Sequence, residues 1–250
     1  MLTTAQLEAL VGPYYEATNR SSQDLIERLK ANVPPHVTRF GDGEMYTIIG
    51  VAGGNCDHHP YSRELGMATV DAIDRFVQTD NLWISNWFWW PMGFWQHGFV
   101  NRMAQIHNRK VEWCEHEMMM HLHGRPIEPV RDIYIGIREC SRKKVYIRPH
   151  HLAYADRLLR VHDVVEVPAI NGWASFKSVL SSALSKITND DLVLISFGMP
   201  AKPLMARIIE ERPNCRVIDI GSGLDPLGGR TTRNQQYTAE ELRQVYAGLL

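Results

Sequence analysis

The chain is poor in the features that mark several common protein classes. Its four cysteines, Cys56, Cys114, Cys140 and Cys215, are scattered, and no two have CxxC spacing. Neither a zinc site nor a disulfide framework is indicated, and a reduced, cytoplasmic setting is the default. No apolar run approaches the ~20 residues that span a bilayer. The opening residues, Met1-Leu2-Thr3-Thr4-Ala5-Gln6, have neither a basic segment nor an apolar stretch, so no signal peptide is expected. Excess charge of either sign is also missing. With 27 Lys and Arg against 28 Asp and Glu, the formal net charge is −1, which gives no bulk attraction to nucleic acid or to an anionic membrane. There is no internal repeat and no low-complexity linker. The 250 residues would fit one large α/β domain or two small ones, and 44% of them are hydrophobic, enough for a core. We read a single domain spanning 1–250.

Hydropathy periodicity predicts the elements. Residues 5–32 read as helical, with Ser21 or Ser22 capping a helix that places Leu25, Ile26 and Leu29 on one face. Pro34-Pro35 ends it. His36-Val37-Thr38 is a short extended run, 61–78 an amphipathic helix, and Leu82-Trp83-Ile84 a second strand. A helix over 129–139, a strand over 144–147, a helix over 152–159 and a strand over 164–167 follow. Residues 171–187 read as a helix. Leu192 to Phe197 is a near-continuous apolar run, suited to a parallel strand covered on both faces. A helix carrying Leu204, Met205, Ile208 and Ile209 precedes the last strand, 217–220. Thr238-Ala239-Glu240-Glu241 is a capping-box pattern for a C-terminal helix. The alternation predicts an α/β fold, a doubly wound, mostly parallel sheet with helices on both faces.

The middle of the chain breaks this pattern. Five of the seven tryptophans lie between residues 83 and 95, within what reads as a Trp-rich insertion around 83–125. Pro91 and Gly93 argue against a regular helix or a central strand there. Its aromatic surface must be buried somewhere. Packing in the core or an oligomer contact is one reading; a stacking wall for a sugar face or a base, formed by Trp87, Trp89, Trp90 or Trp95, is the other. His97, His107, His116, His121 and His123 invite a zinc proposal, but their spacing does not match the HExxH helix pattern, and surface or core histidines are the better reading.

Ligands of doubly wound sheets bind at the carboxyl ends of the strands, and four such loops stand out. Arg39-Phe40-Gly41-Asp42-Gly43-Glu44 carries two carboxylates around a glycine. They could share a hard divalent cation with a phosphate, or be the solvated acids of a tight turn. Pro168 to Trp173 is the second loop. Gly198 to Lys202 opens a helix beside a lysine, which suits an anion. Gly221 to Arg233 supplies backbone amides, Asp225, Arg230 and Arg233. Together they describe a site for a metal-bound pyrophosphate with an acid nearby. Val217 to Gly223 also looks like the first motif of S-adenosylmethionine methyltransferases. That motif follows the first strand of its fold, whereas only 27 residues follow Gly223.

The hexapeptide RFGDGE resembles the signature of the GT-D glycosyltransferases, once grouped as a domain of unknown function. The later half is similar in order: Pro168-Ala169-Ile170-Asn171-Gly172-Trp173, then Gly198-Met199-Pro200-Ala201-Lys202, then Ile218-Asp219-Ile220-Gly221. The Trp-rich stretch has no counterpart there, and Ser222-Gly223-Leu224-Asp225 stands where founding members carry His-Ile-Asp. The resemblance implies a metal-dependent glycosyltransferase that uses a nucleotide diphosphate sugar, such as a UDP-sugar. Asp42 and Glu44 would hold Mn²⁺ or Mg²⁺ against the diphosphate. Lys202, Arg230 and Arg233 would contact phosphates, and Asn171 and Trp173 the base or ribose, with Arg39, Gly198 and Ser222 completing the donor site. Asp225 would be the general base if the reaction inverts; a turn residue before Pro226 is its other reading. The acceptor would be a glycan or a nucleobase hydroxyl in DNA, for which the basic run Arg138, Arg142, Lys143, Lys144 and Arg148 is the attraction. A non-catalytic carbohydrate-binding protein is the competing class, and a homo-oligomer is compatible with the aromatic content.

Overall fold

A computed structural model describes residues 20–55, 59–86, 92–230 and 237–250. Seven parallel strands form one sheet: β1 (His36–Arg39), β2 (Leu82–Asn86), β3 (Glu112–Glu115), β4 (Lys144–Pro149), β5 (Asp163–Val167), β6 (Leu192–Ile195) and β7 (Arg216–Asp219), in the order β3-β2-β1-β7-β6-β4-β5. The doubly wound α/β expectation therefore holds.

Helices cover both faces. On one lie α2 (Asp42–Ile48), α3 (Arg63–Gln78), α4 (Met92–Ile106), α7 (Phe176–Lys186) and α8 (Ala201–Glu211). On the other lie α1 (Ser22–Lys30), α5 (Glu128–Glu139), α6 (Tyr154–Leu159) and α9 (Ala239–Val245). The central strands are apolar on both sides because both sides are covered. Val145, Ile147, Val193 and Ile195 face the first layer; Tyr146, Leu192, Leu194 and Ile218 face the second. Local rules set the helix ends. Ser21 caps α1 in a reciprocal box with Asp24, and Thr238 caps α9 with Glu241.

One expectation changes, in the segment after residue 83. That segment supplies β2, α4 and the edge strand β3, which extend the sheet beyond β1. A regular helix begins at Met92. A proline preceding a first turn is tolerated there, since the first N–H groups of a helix have no partner, and buried Gly93 lies within that turn. Val100 and Ala104 anchor α4 in the core. Trp83 and Trp113 are fully buried, the latter stacked on His97 with ring centroids 4.1 Å apart. Trp87, Trp89 and Trp90 lie outside the described residues. Among the described residues no helix is long and apolar enough to cross a membrane.

The topology prepares a cleft. β1 continues into α2 on one face, while its neighbour β7 continues into a turn, Asp225–Gly228, packed on the other. β6 and β4 diverge in the same way, into α8 and α6. Adjacent strands whose continuations part leave a crevice at their carboxyl ends.

Candidate active site

The crevice is built around one buried ammonium. Lys202, in the first turn of α8, reaches Glu44 Oε1 at 2.6 Å and Asp219 Oδ2 at 3.0 Å. All three residues are at least 94% buried. Glu44 sits in the first turn of α2, and its Oε2 accepts the Gly41 N–H at 2.8 Å, so both its oxygens are engaged. Asp219 ends β7, and its Oδ1 accepts the Gly221 N–H at 3.0 Å. The triad joins the ends of β1, β6 and β7. Burial works against the charge of Glu44, but Lys202 and the backbone N–H bonds outweigh it and hold the carboxyl below its usual range. Burial likewise opposes the charge on Lys202, and the two carboxylates raise it above the ordinary lysine value.

Arg39 is a second buried tie. Its guanidinium donates to His116 O at 3.1 Å, to Ile220 O at 2.6 Å and to Met120 Sδ at 2.9 Å. Gly221 is required where it packs on this guanidinium: its φ is +57°, and a Cβ would collide with Arg39 Nη1. Gly198 is a similar case. Its φ is +61°, and a Cβ would lie 2.8 Å from His59 Nε2. Buried His59 covers the loop after β6 and accepts the Gly172 N–H at 3.4 Å.

The exposed side of the cleft differs. Asp42, next to this buried network, is half-buried, with Oδ1 accepting the Gly43 N–H at 2.9 Å. Also on the lining, Asp225 Oδ1 lies 3.3 Å from His151 Nε2. Arg230 and Ser222 complete that rim. Ser196 Oγ bonds to Gly221 O at 2.8 Å and to the Tyr146 hydroxyl at 2.9 Å, which fixes the floor.

The fold thus gathers Arg39, Asp42, Glu44, Gly198, Lys202, Ser222, Asp225 and Arg230 into one cleft. Lys202 faces inward to its two carboxylates, not outward. Asn171 and Trp173 stand apart. Asn171 is exposed, and Trp173 packs on Phe176 at 4.8 Å, while only Pro168 and Ala169 of that loop reach the lining. Arg233 lies outside the described residues. Sequence reasoning missed His59 and His151, read His116 only as a surface or core histidine, and named Asp219 only within a motif, with no role. An acid ending an otherwise apolar strand was a usable signal for Asp219, and a histidine just past the end of β4 was one for His151. Among the described residues, no three metal-type side chains converge. A dication here would find the Asp42 carboxylate on the protein side and would have to take most of its oxygens from its ligand and from water.

The basic run is tied down within the chain. Arg138 donates to Arg157 O and Leu158 O, Arg142 to Asp190 O, and Lys144 to Cys140 O. Lys143 pairs with Asp163 and Arg148 with Asp156.

No family model matches the chain, and no curated protein does so significantly. Solved structures do. One, described as the selenomethionine-substituted structure of domain of unknown function 1792 (DUF1792), superposes with a TM-score of 0.61 at 15% identity, over 98% of this chain and 94% of that one. A second, described as showing that this domain has a distinct glycosyltransferase fold, gives 0.60 at 14% identity with the same coverage. A third, described as a new glycosyltransferase (DUF1792) from Streptococcus sanguinis, gives 0.61 at 14% identity over 94% of each chain. The chain therefore has the DUF1792 fold, a glycosyltransferase fold of the GT-D type its sequence motifs resemble.

Proposed function

We propose that the protein is a metal-dependent glycosyltransferase that moves a sugar from a nucleoside diphosphate donor, such as a UDP-sugar, to a hydroxyl of a glycan acceptor. One observation carries this reading: Asp42, Arg230 and the Asp225–His151 pair line a single cleft at the carboxyl edge of a sheet with a glycosyltransferase fold. The charge inventory supports the metal. Lys202 is held by Glu44 and Asp219, and Arg39 by backbone carbonyls. A diphosphate entering beside Asp42 and Asp225 needs more positive charge than Arg230 supplies among the described residues of the lining.

Mn²⁺ or Mg²⁺, held by Asp42 together with diphosphate oxygens, would offset the charge that develops on the leaving group. The chain's own residues set the stage. Lys202 holds Glu44 so that the Gly41–Glu44 turn presents Asp42 to the cleft. Arg230 and Ser222 offer donors to phosphate oxygens. Asp225 and His151 form the basic side of the cleft, where an acceptor hydroxyl gives up its proton. The basic run is engaged within the chain, so it does not favour DNA as the acceptor.

The test is donor turnover against a panel of nucleoside diphosphate sugars, with and without EDTA. Chelation should abolish turnover, and Mn²⁺ or Mg²⁺ should restore it. Asp42→Asn should lower turnover at least about a hundredfold, ~2.7 kcal/mol of barrier, while melting temperature stays near wild type. Full turnover in EDTA, or a wild-type rate in Asp42→Asn, would overturn the metal-dependent reading.

A further inference from the structure

The basic side of the cleft holds two residues from distant parts of the chain. His151 lies in the short turn His150–Leu152 that follows β4, and Asp225 opens the turn that follows β7. Gly228 seats one turn on the other. It packs against the His151 carbonyl and ring so closely that a Cβ there would clash with the carbonyl. The side chains of His151 and Asp225 are mostly buried, 17% and 12% exposed, and both line the cleft.

The hydrogen bond orders the ring. A carboxylate oxygen accepts and does not donate, so His151 Nε2, 3.3 Å from Asp225 Oδ1, is the nitrogen that carries the proton. Nδ1 then carries the lone pair, and among the described residues no hydrogen bond occupies it. A carboxylate that fixes the tautomer of a neighbouring imidazole, and favours its protonated form, is an established device for proton transfer.

Resting on the transferase reading above, we infer that His151 is the base of the reaction and that Asp225 is its positioning residue. The acceptor O–H bond breaks and its proton passes to His151 Nδ1. The acceptor oxygen bonds to the anomeric carbon of the donor. The bond from that carbon to the diphosphate oxygen breaks, and its electron pair leaves with the nucleoside diphosphate. Asp225 faces the imidazolium so formed. The other charged groups around this turn are Arg230 on the β7 side, Asp156 and Arg157 on α6 with Arg148 bonded to Asp156, and Glu166 on β5, which His150 contacts at 3.3 Å.

Two measurements test this. The first is turnover of a nucleoside diphosphate sugar against pH for wild type, His151→Gln and Asp225→Asn, with binding of free nucleoside diphosphate measured alongside. His151→Gln should lower transfer at least about a hundredfold, with nucleotide affinity within about threefold of wild type, and should remove the fall in rate toward acidic pH. Asp225→Asn should lower transfer less than His151→Gln, because the base remains and only its orientation is loosened. Transfer by His151→Gln near the wild-type rate, or an unchanged acidic limb, overturns the proposal and leaves the transferase reading intact. A wild-type chain that neither binds the nucleotide nor transfers sugar removes that reading and the proposal together. The second measurement needs no activity: ¹⁵N spectra of the His151 ring. The neutral ring should carry its proton on Nε2, and Asp225→Ala should lose that preference. A proton on Nδ1, or a tautomer that Asp225→Ala leaves unchanged, overturns the pairing.

Discussion

Both edges of the sheet bury cations, but they satisfy them differently. At the amino edge Lys144 gives its ammonium to the carbonyl of Cys140 at 2.7 Å, and Arg142 and Arg216 cap the carbonyls of nearby turns. At the carboxyl edge Lys202 meets carboxylates from two other segments, and nothing local. A carbonyl-bound cation reinforces one turn. A carboxylate-bound cation locks several strand ends together and spends two acids doing so. The carboxyl edge then keeps further carboxylates, Asp42 and Asp225, at an open cleft. No comparable convergence is seen among the described residues of the amino edge.

The sharpest way to break this contrast is to remove each lysine. Lys202→Met would strand two buried carboxylates, which costs about 3–5 kcal/mol when a buried pair loses one partner. Lys144→Met would take the ammonium from two carbonyls, a close one at Cys140 and a distant, partly buried one at Arg142, and an unsatisfied buried carbonyl costs about 1–3 kcal/mol. Urea unfolding of both variants should therefore rank Lys202→Met as clearly the less stable. Equal losses would mean that the triad holds the strand ends no more tightly than a turn is held.

The two edges also differ in how legible they were. β1, β4, β6 and the capping boxes at Ser21 and Thr238 follow from local rules that a short window contains. β3 does not. Its four residues, Glu112–Glu115, are half acidic, pair with a strand on one side and with a single bridge from Arg20 to Cys114 on the other, and show no alternation. The helix from Met92 was hidden by Gly93, which the first turn absorbs. At the site, the motifs placed Asp42, Glu44, Lys202 and Asp225 on one edge, as found. Their division of labour could not be read, because it depends on partners far along the chain: Glu44 on Lys202, and Asp225 on a histidine 74 positions away. Nothing within RFGDGE says which acid turns inward. The histidines of 97–123 read as surface or core residues, and both kinds occur: the His123 side chain is about half exposed. His97, His116 and His121 are all buried, and His121 bonds the Tyr246 hydroxyl at 2.6 Å.

Buried histidines give the next prediction, an intermediate effect. Burial, with Arg216 and Arg142 nearby, pulls His36 down to about 3, and burial pulls His97 and His121 down to about 4. Each stays neutral in the folded chain at pH values where the unfolded chain is protonated. The unfolded state then binds more protons between about pH 6.5 and these values, so stability falls as pH falls through that window. Each group adds a slope of up to about 1.36 kcal/mol per pH unit. Denaturant unfolding at pH 7, 6, 5 and 4 should show the decline, and His36→Gln, which keeps an acceptor for the Val217 N–H, should make it shallower. A stability that stays flat to pH 4 would remove the electrostatic account of the amino edge.

The smallest effect expected is that of Arg142→Ala, and it bears on the contrast most directly. Arg142 bonds only carbonyls, those of Asn32, Asp190 and Asn214 at 3.1–3.5 Å, on a partly exposed turn. Water can replace it, so the loss should be about 1 kcal/mol or less. Its charge also disfavours protonation of His36 and of Arg216. Its removal should let His36 titrate closer to the ordinary histidine range, so the variant should lose less stability per pH unit than wild type between pH 6 and 4. At pH 7 the penalty would be the lost carbonyl bonds alone, and the two unfolding curves should converge as pH falls. Sugar transfer should be unaffected, because Arg142 is at the opposite end of β4 from the cleft. A large fall in transfer at constant stability would show instead that the amino edge takes part in function, through an acceptor that reaches the basic run.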